Sequence, residues 1–228
     1  MDKFVRVKQI YNKKQNNIMN NDYWLAAKKN KEINNGAAVE NDNANHSDSK
    51  NRIESINNNI YFYAEVTRTN NLTLNKKIDS LGMKYYNYSN SLSMDVVAHL
   101  NLHINSFGGS VFAGFSSVDH ILNSKVPVHS VIDGCAASAA TIMSVVADER
   151  YMHKHAFMLI HQLSAGSWGK YEELKDDMQN NELIMNKIKE IYQEYTKIPT
   201  KKLNEILKRD LWWDAKTCLE YGLIDEII

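Results

Sequence analysis

An α/β domain is the fold class that the sequence predicts, on three observations. From residue 60 onward, apolar segments of strand length alternate with segments of helical period. Two of the strand-like segments end at glycines, directly before a helical pattern begins. One long amphipathic segment follows them. Such alternation is typical of βα-layered domains, and 228 residues suffice for one of these with a sizeable core and a tail.

The first 56 residues differ in composition from the rest. They are dense in Asn and Lys, as in the cluster at residues 41–45, and no apolar periodicity persists in them. A segment of this kind buries too little apolar surface to offset its chain entropy. We therefore expect a flexible leader at residues 1–56, with one short helix at residues 23–31, and a folded domain at residues 57–228. An organelle transit segment is the alternative, although the leader carries acidic residues and no Arg-rich amphipathic face.

The first elements of the folded domain follow in order. A strand is predicted at residues 60–63, a helix at residues 72–81 and, after a loop, a strand at residues 100–104. Apolar and polar residues alternate along the last of these, as in a strand with one buried face.

Two glycines separate this strand from a helix. Gly108 and Gly109 precede an apolar pattern of helical period. Paired glycines let the backbone approach a ligand closely, present an N–H group to an oxyanion or open an edge for an extended peptide. A phosphate cradle is the competing interpretation, but the Lys-Ser/Thr of a P-loop and the third glycine of a dinucleotide site are both missing.

Ser138 lies at a second strand-to-helix junction. An apolar run breaks at Gly134, and an Ala-rich helical segment begins around Ser138. Backbone N–H groups at a helix start lack intrahelical partners and stabilise negative charge on an attacked carbonyl, so a nucleophile is well placed there. Close packing is the alternative role for such a small residue. Cys135 offers a competing thiol nucleophile, but a small buried residue beside the serine is the better interpretation.

A base and a carboxylate complete a candidate triad. His161 ends an apolar run, and Asp210 lies in a Lys-Arg-Asp segment. A histidine at the end of a buried strand is usually structural when it stands alone. The presence of Ser138, His161 and Asp210 together favours nucleophilic catalysis. Trp212 and Trp213 follow the acid, and we expect them to pack the C-terminal hairpin, to wall the site and to hold Asp210 desolvated.

Residues 169–198 predict one long helix. Its apolar residues recur on one face, which we interpret as a face toward the core. These residues are Leu174, Met178, Ile184, Ile188, Ile191 and Tyr195. Charged residues such as Glu172 occupy the other faces.

The remaining histidines predict no metal site. His99 and His103 lie four residues apart, a spacing that suits a metal on a helix, but they fall on or beside a strand and the sequence fixes no third ligand. His153 and His155 alternate as strand neighbours do. We expect no metal ligand and no bound cofactor.

Composition argues against several partners. Acidic and basic residues balance at 27 each, and no basic stripe with interleaved aromatics occurs, so nucleic acid and anionic membranes are not expected partners. No apolar run reaches the about 18 residues of a transmembrane helix, and no signal core follows Met1. Two cysteines, Cys135 and Cys218, provide no disulfide framework. We expect a soluble cytoplasmic protein, or one of an organelle lumen if the leader is a transit segment.

Four ordered motifs resemble the ATP-dependent Clp protease proteolytic subunits, the ClpP serine peptidases. Residues 105–109 are similar to the family's Asn-Ser-Pro-Gly-Gly, residues 134–138 to its Gly-x-Ala-Ala-Ser, and residues 159–163 to its Met-Ile-His-Gln-Pro. Residues 209–210 and 221–225 match its Arg-Asp and Tyr-Gly-Leu-Ile-Asp. The resemblance covers the whole predicted folded domain.

The resemblance implies a fold and a site. The fold would be the ClpP/crotonase-like spiral of βα units, with the long helix as a protruding handle that interlocks two rings. Ser138 would be the nucleophile, His161 the general base and then acid, and Asp210 the carboxylate that fixes the imidazole tautomer. The backbone N–H groups of Gly109 and Ala139 would form the oxyanion hole.

The resemblance also implies a function. The chain would be a self-compartmentalising serine endopeptidase that binds an unfolded polypeptide as an added β-strand and cleaves it through an acyl-enzyme. It would assemble into heptameric rings, single or stacked in pairs, and receive substrate from an AAA+ unfoldase that alone uses ATP. The alternatives are a non-catalytic or regulatory ring subunit of a mixed assembly, and a crotonase-like acyl-CoA enzyme. Neither needs all three triad residues.

Three positions depart from the family pattern. Phe107 and Leu163 replace prolines, which frees φ and adds a backbone N–H at each position, so we expect looser or differently selective peptide-binding edges. Lys208 stands where many members carry an acid that pairs across stacked rings, and a basic residue cannot make that ion pair.

Overall fold

A computed structural model describes residues 52–91 and 98–228, and these form an α/β domain, as the sequence predicts. Eight strands and six helices lie in the described residues. Their bounds are β1 Arg52–Ile56, β2 Asn59–Tyr63, α1 Arg68–Ser91, β3 Leu100–Ser106, α2 Val111–Leu122, β4 Val128–Ala137, α3 Ala139–Val145, β5 Glu149–Met152, β6 Phe157–Leu159, α4 Tyr171–Tyr195, α5 Thr200–Ile206, β7 Trp212–Asp214, α6 Ala215–Glu220 and β8 Glu226–Ile227.

The sheet forks at β4, and the fork positions the candidate site. The main strand order is β1-β2-β3-β4-β5-β8, antiparallel between β1 and β2 and parallel thereafter. The first part of β4 pairs with β5, whereas residues 135–137 pair with β6, which in turn carries β7. Gly134 lies at the fork with φ +92°, where the register against β3 also shifts. Strand β4 thus continues to Ala137, past the glycine where the sequence predicts a break, still pairs with β3 at Ala136, and exchanges β5 for β6 as its other neighbour.

Buried and partly buried side chains alternate along the strands, and the buried ones form the core. Leu100, Leu102 and Ile104 of β3 are fully buried, while Asn101 and His103 between them are only partly buried. The full burial of such an aliphatic side chain stabilises the fold by about 1.5–3 kcal/mol. Helix α1 packs against α2, and α2 packs against α3.

Helix α4 has an exposed half and a buried half. All of residues 171–180 are exposed, whereas Ile188, Ile191 and Tyr192 are buried. The predicted core-facing stripe is therefore correct for the second half and wrong for Leu174 and Met178. Those two side chains lie beyond the reach of the core. In the part of the chain that the structure describes, no helix is long and apolar enough to cross a membrane.

The folded domain begins earlier than the sequence predicts. Residues 52–56, which we assigned to the leader, form β1 and pair with β2 from Arg52 opposite Tyr63 to Ile56 opposite Asn59. Asn57 turns this hairpin with φ 55°, a conformation that asparagine tolerates better than most residues. Helix α1 also extends beyond the predicted residues 72–81. The remainder of the predicted leader and its short helix lie outside the described residues.

Candidate active site

Ser138 adopts an unusual backbone conformation between β4 and α3. Its φ of 55° and ψ of −127° lie in a region that residues with a side chain avoid, at a cost of about 1–3 kcal/mol. Hydrogen bonds hold it there. The Ser138 N–H donates to the Leu159 carbonyl at 2.8 Å, and the Ser138 carbonyl accepts from the N–H and the hydroxyl of Thr141. A strained residue fixed in this way is typical of functional sites.

Gly108 and Gly109 bring a second segment of backbone against Ser138. A Cβ atom on Gly108 would lie 2.7 Å from Ser138 Cβ and 3.0 Å from the Ala139 nitrogen, and its φ is +89°. On Gly109 it would lie 2.3 Å from the Val66 carbonyl oxygen. Only glycine fits at either position. The turn is therefore packed against the Ser138–Ala139 peptide, the region where the sequence predicts an oxyanion hole.

His161 and Asp210 come together beside the end of β4. Ala137 pairs with Leu159 in the parallel β4–β6 ladder, so Ser138 and His161 both follow the carboxyl ends of adjacent strands. Antiparallel β7 then brings the chain back alongside β6, because Trp212 pairs with Leu159. His161 Nδ1 lies 3.5 Å from Asp210 Oδ1. The imidazole is largely buried, and the carboxylate is 41% exposed.

The two tryptophans next to the acid have different roles. Trp213 packs on Tyr221, with ring centroids 4.8 Å apart, and thus connects β7 to the end of α6. The predicted C-terminal hairpin is wrong, because β7 pairs with β6 and β8 pairs with β5. Trp212 meets the edge of Phe107 at a centroid distance of 6.2 Å, so the two rings join the strand after Asp210 to the residue before the paired glycines. The predicted desolvation of Asp210 is wrong. The Trp212 ring packs on Phe107 instead of covering the carboxylate, which stays exposed.

Cys135 is poorly suited to act as a nucleophile. Burial raises the pKa of its thiol to about 11, an effect that a backbone hydrogen bond only partly offsets. Its Sγ lies 3.5 Å from Asn105 Oδ1. A thiol of this pKa is protonated at neutral pH, which favours the interpretation of Cys135 as a packing residue beside Ser138.

His103 and His153 surround a buried carboxylate that sequence reasoning missed. Asp133 Oδ2 accepts from the Tyr63 hydroxyl at 2.8 Å and lies 2.9 Å from His103 Nδ1, and Oδ1 lies 3.2 Å from His153 Nε2. Burial opposes ionisation of Asp133, but these hydrogen bonds and nearby imidazoles outweigh it and lower its pKa. Within the described ranges, no three His, Cys, Asp or Glu residues are placed to hold a metal ion.

Comparisons with known proteins match most of the chain. The sequence model of the family described as Clp protease matches residues 55–228. The ATP-dependent Clp protease proteolytic subunit of Streptococcus mutans is 34% identical over 140 residues, which are 60% of this chain and 71% of that protein. Proteolytic subunit 1 of Chlamydia muridarum is 34% identical over 129 residues, 55% of this chain and 67% of the relative.

A solved structure shares the architecture. A point mutant of ClpP1 from Listeria monocytogenes superposes with a TM-score of 0.62, covering 75% of this chain and 91% of its own, at 22% sequence identity. This likeness confirms the predicted spiral of βα units.

Proposed function

The chain belongs to the Clp protease family, and from this premise we propose that it is a serine endopeptidase with Ser138, His161 and Asp210 as its catalytic triad. One observation carries the proposal. The fork in β4 sets a strained Ser138 beside the strand that leads to His161, and the Nδ1 of this histidine faces Asp210 at 3.5 Å. An imidazole that faces an acid through Nδ1 directs Nε2 to the opposite side of the ring, which is where a serine hydroxyl bonds to it in a catalytic triad.

In the proposed reaction, Ser138 Oγ bonds to the substrate carbonyl carbon while His161 Nε2 takes the hydroxyl proton. The N–H groups of Gly109 and Ala139 donate to the oxyanion, and each such donor typically lowers the barrier by about 3 kcal/mol. The peptide C–N bond then breaks, His161 protonates the leaving amine, and an ester remains on Ser138. A water molecule, deprotonated by His161, hydrolyses that ester. These steps need no cofactor on this chain.

The proposed substrate is an extended, unfolded polypeptide. Residues 163–169, after His161, carry no regular secondary structure, and the Gly108–Gly109 turn lies on the other side of Ser138. A peptide between these two segments would pair with the backbone as an added strand. The rings of Phe107 and Trp212 offer an apolar wall there, which favours a large apolar side chain next to the cleaved bond.

We further propose that the chain forms heptameric rings, single or stacked, that receive substrate from an AAA+ unfoldase. Its relatives are named as subunits of ATP-dependent proteases. The segment from residue 168 into the first half of α4 exposes several large apolar side chains, and Trp168 is 99% exposed. Large apolar side chains grouped on a surface mark interaction sites. In this assembly, ATP would act only on the unfoldase, and native mass spectrometry would report the number of subunits.

Fluorophosphonate labelling of the assembled protein tests the proposed protease. We expect the native chain to be labelled, the Ser138→Ala variant to lose the label, and Ser164→Ala, at an exposed serine near His161, to keep it. Labelling that persists in Ser138→Ala contradicts the proposal. Absence of label on the native chain, with and without an unfoldase, also contradicts it and favours a non-catalytic ring subunit. Hydrolysis of an acyl-CoA by an unlabelled chain would favour the crotonase-like alternative.

A further inference from the structure

A buried chain of hydrogen bonds connects helix α4 to the backbone of Ser138. The Tyr192 hydroxyl lies 2.5 Å from Thr141 Oγ1, and Thr141 Oγ1 lies 2.6 Å from the Ser138 carbonyl oxygen. The Thr141 N–H donates to the same carbonyl at 2.9 Å. Tyr192 and Thr141 are both buried, and they are 51 residues apart in the sequence.

The direction of each bond follows from the number of protons. A carbonyl oxygen only accepts, so the Thr141 hydroxyl donates to Ser138. That hydroxyl has one proton, so it accepts from Tyr192, which donates. Burial raises the pKa of Tyr192, so the phenol keeps its proton at neutral pH. Successive hydrogen bonds that point the same way strengthen one another.

The carbonyl at the end of this chain belongs to the peptide unit of the expected oxyanion hole. The Ser138 C=O and the Ala139 N–H share one planar peptide group. In a trans peptide they point in opposite directions, and the described residues contain no cis peptide. Whatever fixes the Ser138 carbonyl therefore also aims the Ala139 N–H. Two hydrogen bonds from Thr141 do so, and Tyr192 orients the Thr141 hydroxyl.

This peptide needs external support, because its backbone is strained. Ser138 has a φ of 55°, and relaxation toward an ordinary conformation would rotate the peptide that follows it. Helix α3 spans only Ala139–Val145. The buried second half of α4 is a separate element that packs against α3. Through Thr141, the Tyr192 hydroxyl thus connects the strained Ser138–Ala139 peptide to a helix outside the β4–α3 junction.

We propose that Tyr192 and Thr141 are positioning residues that aim the Ala139 N–H at the oxyanion. The inference rests on the proposed function and assigns these two side chains a role in the same site. Neither touches substrate. Their hydroxyls matter because a donor misaligned by a small rotation loses most of its stabilisation of the transition state.

Hydroxyl deletions test this proposal, with hydrolysis of a short peptide and the rate of fluorophosphonate labelling as readouts. Tyr192→Phe removes one oxygen and is expected to lower kcat about tenfold, with KM unchanged, because a single oxyanion donor is worth about 100-fold or more. Tyr195→Phe, on the same helix one turn away, is the control and should leave kcat unchanged. Thr141→Val should lower kcat at least as much as Tyr192→Phe, and Thr141→Ser, which keeps the hydroxyl, should restore it.

The outcomes separate positioning from packing. If the three groups act as one chain, adding Tyr192→Phe to Thr141→Val lowers kcat no further. A Tyr192→Phe variant that unfolds at a lower temperature but hydrolyses peptide at the native kcat overturns the proposal, as does a Thr141→Ser variant as slow as Thr141→Val. These results leave Ser138-dependent labelling of the native chain intact. Loss of that labelling would instead refute the proposed function, and this inference with it.

Discussion

The His103–Asp133 and His161–Asp210 pairs differ in geometry and surroundings. His103 Nδ1 and Asp133 Oδ2 are 2.9 Å apart, and the carboxylate is 13% exposed and contacted by two further side chains. In the other pair, His161 and Asp210 are 3.5 Å apart, and the carboxylate is 41% exposed. The shorter and more buried contact is therefore not the one beside the serine.

The difference shows that position, not the strength of the pair, marks a candidate triad. His103 lies inside β3, between the neighbouring strands β2 and β4, where its ring stacks on Tyr61. It holds strands together. His161 follows the end of β6, beside the strand that leads into strained Ser138, and residues 163–169 after it form neither helix nor strand. A catalytic imidazole must exchange a proton with substrate. His103 instead contacts Asp133 and Tyr61 within the sheet, which suits a structural role.

The largest expected effect is on kcat, from a substitution in the His161–Asp210 pair. Asp210→Asn should lower kcat for a short peptide by about 10³–10⁴-fold, because the imidazole would no longer be held in the required tautomer. Unfolding temperature and assembly should be unchanged, since Asp210 is exposed and the substitution preserves shape. Steady-state kinetics beside thermal unfolding measures both. Unchanged hydrolysis would remove Asp210 from its role.

A substitution in the His103–Asp133 pair should lower the stability of the fold and leave kcat unchanged. Asp133→Asn should lower the free energy of unfolding by about 2 kcal/mol, because it weakens hydrogen bonds to a buried charge. The kcat of the folded protein should not change. Asp79→Asn is a matched control, since Asp79 pairs with His120 at the same 2.9 Å but at the surface, where such pairs contribute about 0–1 kcal/mol. Urea unfolding distinguishes the two, and equal losses would contradict this account.

The free energy of unfolding should decrease as the pH falls, because Asp133 and a second aspartate have lowered pKa values in the folded protein. Asp133 has a lowered pKa, and so does Asp225, where burial is outweighed by the Arg150 guanidinium at 2.8 Å. The unfolded chain thus binds protons at a higher pH than the folded one. This stabilisation is present above the ordinary carboxyl range and is lost as pH falls through the lowered values. Unfolding free energy should fall from about pH 5 toward pH 3, less steeply in Asp133→Asn, and an identical slope would contradict the assignment.

The smallest effect concerns the aromatic wall beside Asp210. Phe107→Ala should raise KM roughly 2–10-fold for peptides with a large apolar residue at the cleavage site, because an aromatic contact contributes about 0.5–1.5 kcal/mol. Phe112→Ala is the control. It forms a similar edge-on pair with Phe115 on α2, with centroids 6.4 Å apart. If both variants have the same KM across a peptide series, the wall does not select substrate.

Local pattern made much of the site predictable. Gly108 and Gly109 and the polar residues after apolar runs mark strand ends, and parallel strands bring such ends to one edge of a sheet. Gly134, by contrast, lies inside β4, so the strand end expected there was placed too early. The β4–β6 ladder then sets Ser138 and His161 side by side. The hairpin of β1 was missed because its Asn-rich turn has the composition of a flexible leader, although Asn57 is a residue that favours this turn.

Contacts between distant segments were beyond the sequence. Asp133 on β4 contacts His103 on the neighbouring strand β3, and Tyr192 contacts Thr141, which lies 51 residues away in the sequence. The periodicity of the sequence does not predict these long-range contacts, because they depend on how helices and strands pack. The same holds for Trp212, which the sequence places beside Asp210 but which packs on Phe107.

A crystal structure of the fluorophosphonate adduct tests the central claim most directly. The account predicts phosphorus bonded to Ser138 Oγ, with the phosphonyl oxygen about 2.7–3.1 Å from the backbone nitrogens of Gly109 and Ala139 and His161 between the adduct and Asp210. An adduct on another residue, or a phosphonyl oxygen directed away from both nitrogens, would contradict it.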